Sequence, residues 1–416
     1  MQGWRLYAAM IGLAALTGAL VALLLSGGPR FSEARASARP LSTRSAAPTA
    51  TPTPRVTPSP TERPSPSATP SPAPSPVDLD TLLRPAVARR ILSGTTLLIA
   101  QSSGLDGTTL VAATPSGGPA LPLASFGRDG GWQLRADGAV LAVSLETSAD
   151  TARIATLNLR SGTVAWLTPD EPGVRQVTPI WSADGSLLYY ASSRGPTDLG
   201  IWRIRADGTQ PTRIRKPDGS YAGVSLQGLM PDGIGLVWSY VRAGGSAAVY
   251  ELATGADRVF DDTTAATVVA WRVARPRALV TVGGGAGLPP GALVLWDDVS
   301  GTKKTLLSRD LAGSPDGVYG ADFDPTGTRI VIAAYARIGG IEGSALNTID
   351  LNGGNRTVIA GSEGAEQVLW FRAGIVFTRR AASGGTDVLL IPPSGGRPVT
   401  LFSDPGQVGK LAFVSP

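Results

Sequence analysis

The chain has 416 residues, with 37 Lys+Arg against 32 Asp+Glu and neither His nor Cys. The lack of His and Cys excludes disulfides, thiol nucleophiles, His-dependent triads and His or Cys metal sites. The net charge of +5 resides in residues 1–76, which hold seven Arg and two Glu, and the remainder is balanced at thirty of each sign. A balanced domain lacks the basic surplus of a phosphate-backbone binder, so nucleic acid is not an expected partner.

A short tail, residues 1–5, precedes the stretch LYAAMIGLAALTGALVALLL at 6–25, twenty residues without a charge. At 1.5 Å per residue it spans a hydrocarbon core of about 30 Å, which predicts a transmembrane helix acting as a signal anchor. Ala36-Ser37-Ala38 has the small-residue pattern of a cleavage site, and secretion after cleavage is the competing reading; the pattern lies far beyond the apolar run.

Residues 26–76 read as a disordered Pro/Ser/Thr-rich linker. Twelve of the 34 prolines fall within 40–76, in phrases such as TPTPRVTPSPT. This composition forms extended polyproline II at about 3.1 Å per residue, a spacer of roughly 100 Å. A spacer of that kind suits an extracytoplasmic domain held off the membrane. Arg30, Arg35, Arg39 and Arg44 argue the other way, because a positive-inside count puts the C-terminal part in the cytoplasm.

Residues 77–416 predict an all-β propeller. Pro179-Ile-Trp-Ser-Ala-Asp-Gly-Ser-Leu-Leu-Tyr-Tyr-Ala-Ser-Ser-Arg-Gly, then Gly200-Ile-Trp-Arg-Ile-Arg-Ala-Asp-Gly and Pro211-Thr-Arg-Ile, parse as four strands with Asp-Gly turns. Such pairs suit type I′ hairpins with two positive φ angles. Four antiparallel strands in about 40 to 45 residues make one blade. Related phrases start at Leu134, Trp181, Leu229, Trp271, Phe323 and Trp370, spaced 47, 48, 42, 52 and 47 residues apart. Residues 95–125 look like three strands of a blade without its first. The C-terminal KLAFVSP looks like a first strand without its blade. Joined, they close a ring of seven four-stranded blades and remove open sheet edges. Six blades is the competing count, since the unit around 226–263 is degenerate and 77–94 has no assignment.

The blade at 181–214 resembles the WD-like repeat of TolB-like periplasmic proteins and of the propeller domains of prolyl oligopeptidase-type enzymes. The resemblance covers roughly 87–416 and implies a fold more than a function. No α/β-hydrolase domain is seen in the sequence, so the peptidase activity of some relatives has no expected seat.

Asp322-Phe-Asp324-Pro-Thr-Gly327 imitates half of a calcium loop, but Ala333 stands where the bidentate carboxylate belongs, and a blade turn is the better reading. Asp261-Asp262 and Asp297-Asp298 read as turn charges. The glycine run at 283–287 lies between strands and leads into no helix, so it does not suit phosphate binding. Trp132, Trp181, Trp202, Trp238, Trp271, Trp296 and Trp370 fall in or beside strands and are expected to pack between blades. Arg194, Arg242, Arg337 and Arg379 each end a second strand ahead of a glycine-rich loop. Together they form a candidate binding face for an anionic partner; pairing of each Arg with a neighbouring loop is the alternative.

The expectation is thus a membrane-anchored, extracytoplasmic propeller that binds or scaffolds a protein, peptide or cell-envelope polymer, with no cofactor, metal or catalytic residue assigned. The alternative is an enzyme using carboxylate or Ser/Tyr/Lys chemistry in the channel, for instance on a glycan.

Overall fold

The computed structural model describes residues 79–85, 97–104, 107–114, 120–126, 129–195, 198–216, 223–241, 246–260, 266–271, 277–282, 292–307, 318–338 and 341–414. The expected helix at 6–25, the linker at 26–76, Arg242, Asp261, Asp262 and the glycine run at 283–287 lie outside them. Among the described residues no helix is long and apolar enough to cross a membrane.

Hairpin chemistry is local. In Arg135-Ala136-Asp137-Gly138 the Gly138 amide donates to the Arg135 carbonyl at 2.8 Å, and Gly138 has φ of 68°. Gly185, Gly233 and Gly327 repeat this with φ of 69°, 72° and 67°. In none of these turns does the Asp have positive φ. The expected type I′ geometry is therefore corrected to a turn of type I character closed by one left-handed glycine. The reason is that the carboxylate reaches forward to the backbone. Asp137 Oδ1 accepts from the Ala139 amide at 2.9 Å, Asp184 Oδ1 from Ser186 at 3.1 Å and Asp232 Oδ1 from Ile234 at 2.9 Å.

The strands form six sheets. Four have four strands each, starting with Gly223–Leu229, Ala266–Trp271, Val318–Phe323 and Ala365–Phe371. First strands touch those of neighbouring sheets and so lie innermost. The expected seven separate four-stranded blades are not what the hydrogen bonding gives. Five sheets have the size of one blade, four with four strands and one with five, while the sixth has eight. That sheet contains two antiparallel runs, one from Asp129–Leu134 to Val164–Trp166 and the other from Val174–Trp181 to Thr212–Arg215. A single parallel pair, Ala152 with Arg175, joins them.

The two chain segments expected to meet do so. Gln407–Val414 pairs antiparallel with Leu97–Gly104, with Leu97 opposite Val414 and Gln101 opposite Lys410. The stretch at 77–94 supplies a four-residue helix, Leu79–Leu82, and a fifth strand, Leu83–Pro85, which pairs with Leu121–Phe126. Pro85 is tolerated there because an outermost strand has an edge on which no amide is needed.

The core lies between sheets. Ile180, Ile201, Leu226, Trp238 and Ala248 form one buried cluster across neighbouring sheets. Trp132, Trp181, Trp238 and Trp296 are buried, and Trp296 meets Phe260 edge-on at 5.5 Å, so these rings serve as packing between blades.

Candidate functional site

Antiparallel register places the end of each second strand beside the start of the first. Arg194 pairs with Val174, and Arg379 pairs with Ala365. Both arginines therefore occupy the face on which first strands begin. Arg194 is exposed and meets Glu171 at 3.1 Å. Arg379 is half-buried and lies 3.9 Å from Asp387, its partner on the adjacent strand. The backbone of Arg337 lies opposite Glu342, and Arg242 is outside the described residues. Each of the two described guanidiniums thus already has a carboxylate neighbour.

A cleft of about 400 Å³ opens on this face beside Arg194. Three stretches distant in sequence build it: the loop ending at Asp150, the hairpin of Val174–Trp181 with Leu187–Arg194, and the start of Gly223–Leu229. Its walls are aliphatic at Val177, Ala191, Leu199 and Val224, with Ser192 and Ser193 between them. Neither serine hydroxyl makes a hydrogen bond among the described residues. Gly195 and Gly223 line the mouth, and the space beside each is open, since a Cβ on either would meet nothing within 4 Å.

The cleft's two charged groups differ in availability. Arg175 Nη2 donates to Glu146 Oε1 at 2.6 Å and Nη1 donates to the Ala149 carbonyl at 3.3 Å, so this guanidinium is engaged. Asp150 makes no salt bridge among the described residues. Its Oδ1 accepts from the Ser148 hydroxyl at 2.6 Å and from the Thr151 hydroxyl at 3.1 Å, and these bonds hold the carboxyl below its ordinary range. Thr151 Oγ1 also accepts from the Gly173 amide at 3.0 Å, tying this loop to the next strand.

A second polar set joins neighbouring sheets around the channel. Gln133 accepts from the Trp181 amide, Thr178 Oγ1 from Leu226 at 3.0 Å, and Asp322 Oδ2 from Trp370 at 2.7 Å. All three pairs are 48 residues apart. Asp322 also accepts from the Phe323 amide at 2.8 Å, yet burial pushes its carboxyl up to about 7. These ties were missed in the sequence. The available signal was a polar side chain one or three positions ahead of the phrases that start at Leu134, Trp181 and Phe323.

Asp324 is a turn residue: Oδ1 accepts from the Thr328 amide at 2.6 Å and the Arg329 amide at 2.9 Å. Asp297 Oδ1 likewise accepts from the Val299 and Ser300 amides at 3.0 and 2.8 Å. No group of three or more potential metal-ligating side chains occurs among the described residues.

No family model matches the chain, and no curated protein matches it. Solved structures do. Puromycin hydrolase is 16% identical with a TM-score of 0.54, over 74% of this chain and 52% of that one. A prolyl endopeptidase is 15% identical with a TM-score of 0.50, over 80% and 53%. TolB from Acinetobacter baumannii is 17% identical with a TM-score of 0.42, over 63% and 62%. This chain therefore spans about half the length of the two enzymes and about three-fifths of TolB. Likeness at this identity concerns the fold alone. With the sheet topology, the likeness to the two enzymes makes the described part of this chain a β-propeller, the fold that the resemblance to TolB-like repeats implied.

Proposed function

We propose that this chain is a non-enzymatic binding or scaffolding module, anchored through residues 6–25 and carrying its propeller outside the cytoplasm on the linker at 26–76. Its binding face is the one on which Arg194, Arg337 and Arg379 end their strands, and Arg242 belongs to the same set. The occupant is a protein or peptide segment. We count the eight-stranded sheet as two blades, since one parallel pair joins its halves, giving a ring of seven.

The cleft beside Arg194 carries the reading. About 400 Å³ of partly apolar, partly polar space is within the range of a ligand site, and loops of successive blades converge on it. A nucleophilic serine needs a base within hydrogen-bond reach, and among the described residues Ser192 and Ser193 have none, which favours binding over catalysis. Since Arg194 and Arg379 already face carboxylates, the reading rests on the cleft and not on an anionic partner.

The test is site-specific photo-crosslinking of the full-length chain in intact cells. A crosslinker at Ser193 should capture a discrete partner that one at Val399, on an outer strand, does not. Equal capture at both positions, or none at Ser193, would contradict the proposal.

A further inference from the structure

We infer that the cleft is a receptor for a basic side chain, that of a lysine or arginine in an extended peptide, with Asp150 as its counter-charge and Ser192 and Ser193 as its hydrogen-bond acceptors. This rests on the proposed binding role of the same cleft and names what it takes.

Among the described residues the cleft presents one cation, Arg175, and one anion, Asp150, and of these two only Asp150 has no ion pair. Arg175 is held by Glu146 at 2.6 Å and by the Ala149 carbonyl, so recruiting it for an anionic ligand means breaking a formed ion pair. Asp150 is exposed and, among the described residues, unbridged, with both of its side-chain acceptor contacts on Oδ1 and none on Oδ2. The hydroxyls of Ser148 and Thr151 favour its ionised form, so the negative charge persists across the neutral range and well below it.

The rest of the cleft matches the other half of such a side chain. Lysine and arginine carry an apolar stem behind a charged head. Val177, Leu199 and Val224 offer an aliphatic surface for the stem, while Ser192 and Ser193 can accept from the head or from the peptide backbone. Among the described lining residues a glutamate side chain finds no free donor other than those two hydroxyls, and it is repelled by Asp150. A purely aliphatic one leaves the carboxylate to be desolvated without a partner.

The test uses three acetylated, amidated tripeptides, Ala-Lys-Ala, Ala-norleucine-Ala and Ala-Glu-Ala, titrated against the full-length chain in detergent and read by competition with a fluorescent form of the lysine peptide. The lysine peptide should bind at least tenfold more tightly than either other peptide, and more weakly as salt is raised. Asp150→Asn should abolish that preference. Leu199→Arg, which fills the apolar wall with a like charge, should abolish binding. Asp150→Asn should melt as the parent does, because Asp150 is exposed; Leu199 is buried, so if Leu199→Arg fails to fold, Val224→Arg, at a half-buried position, replaces it. Absence of lysine-peptide binding, a preference for glutamate or norleucine, a preference that survives Asp150→Asn, or equal binding of free cadaverine would overturn the inference. Capture of a partner at Ser193 in cells alongside such a result would leave the binding role standing. Selective lysine-peptide binding without any capture at Ser193 would instead uphold the inference and remove the cellular reading.

Discussion

At the scale of single residues, the most consequential group outside the cleft is Asp322. Its carboxylate accepts two backbone amides, one on its own strand and one on the next sheet, but the surrounding protein costs the charge more than those bonds return. The folded-state value near 7 lies above the ordinary 3.8, so the native state binds this proton more tightly than the unfolded chain. The associated stability is fully present below about pH 4 and is lost as pH rises through about 7, on the order of 1 to 3 kcal/mol. Asp322→Asn keeps an acceptor for Trp370 and removes the titration. Melting curves from pH 4 to 8 should show the parent losing stability across that window and the variant losing much less. Equal slopes would mean that Asp322 is as easily ionised in the fold as outside it.

At the scale of elements, the closing strand Gln407–Val414 joins the ends of the chain's described part, and its removal tests how far the ring depends on it. Besides its ladder to Leu97–Gly104, Lys410 Nζ donates to the Trp132 carbonyl at 3.0 Å and sits 4.5 Å over the Trp132 ring, so the strand also grips the following sheet. Deleting residues 410–416 removes these contacts and exposes an innermost edge. A loss of several kcal/mol, about 10 °C or more in melting temperature, is expected; an unchanged melt would show that the ring does not depend on this closure. The repeat was legible because a hydrophobic run, a turn and a small residue recur at a spacing set by blade size. KLAFVSP was recognisable as an orphan first strand for the same reason. Leu83–Pro85 was not, since three residues carry no alternation and only the neighbour Leu121–Phe126 makes them a strand. The fusion of two runs into an eight-stranded sheet was equally hidden, because it depends on one backbone pair whose side chains, Ala152 and Arg175, have no preference for it.

At the scale of the whole molecule, the arginine set and the cleft show what a sequence can and cannot announce about a site. Arg194 and Arg379 stood out because they recur at equivalent positions, but their carboxylate partners lie 23 residues and eight residues away, and only the register brings them together. The cleft is made mostly of Gly, Ser, Ala, Val and Leu, with one Asp and one Arg, from three stretches between 150 and 224, and these residues form no motif in the sequence. The proposed placement of this face outside the cytoplasm has its own test: a membrane-impermeant label directed at a cysteine introduced into the linker, for instance Ser65→Cys, should react in intact cells. Labelling that requires permeabilisation would put the propeller on the other side. The central claim, that the cleft beside Arg194 is where the partner sits, is tested most directly by hydrogen exchange on the full-length chain with and without its crosslink-identified partner. The account predicts slowed exchange concentrated in residues 147–151, 173–177, 191–199 and 223–225, with the outer strands unchanged. Protection confined to the outer strands, or no protection at those four stretches, would contradict it.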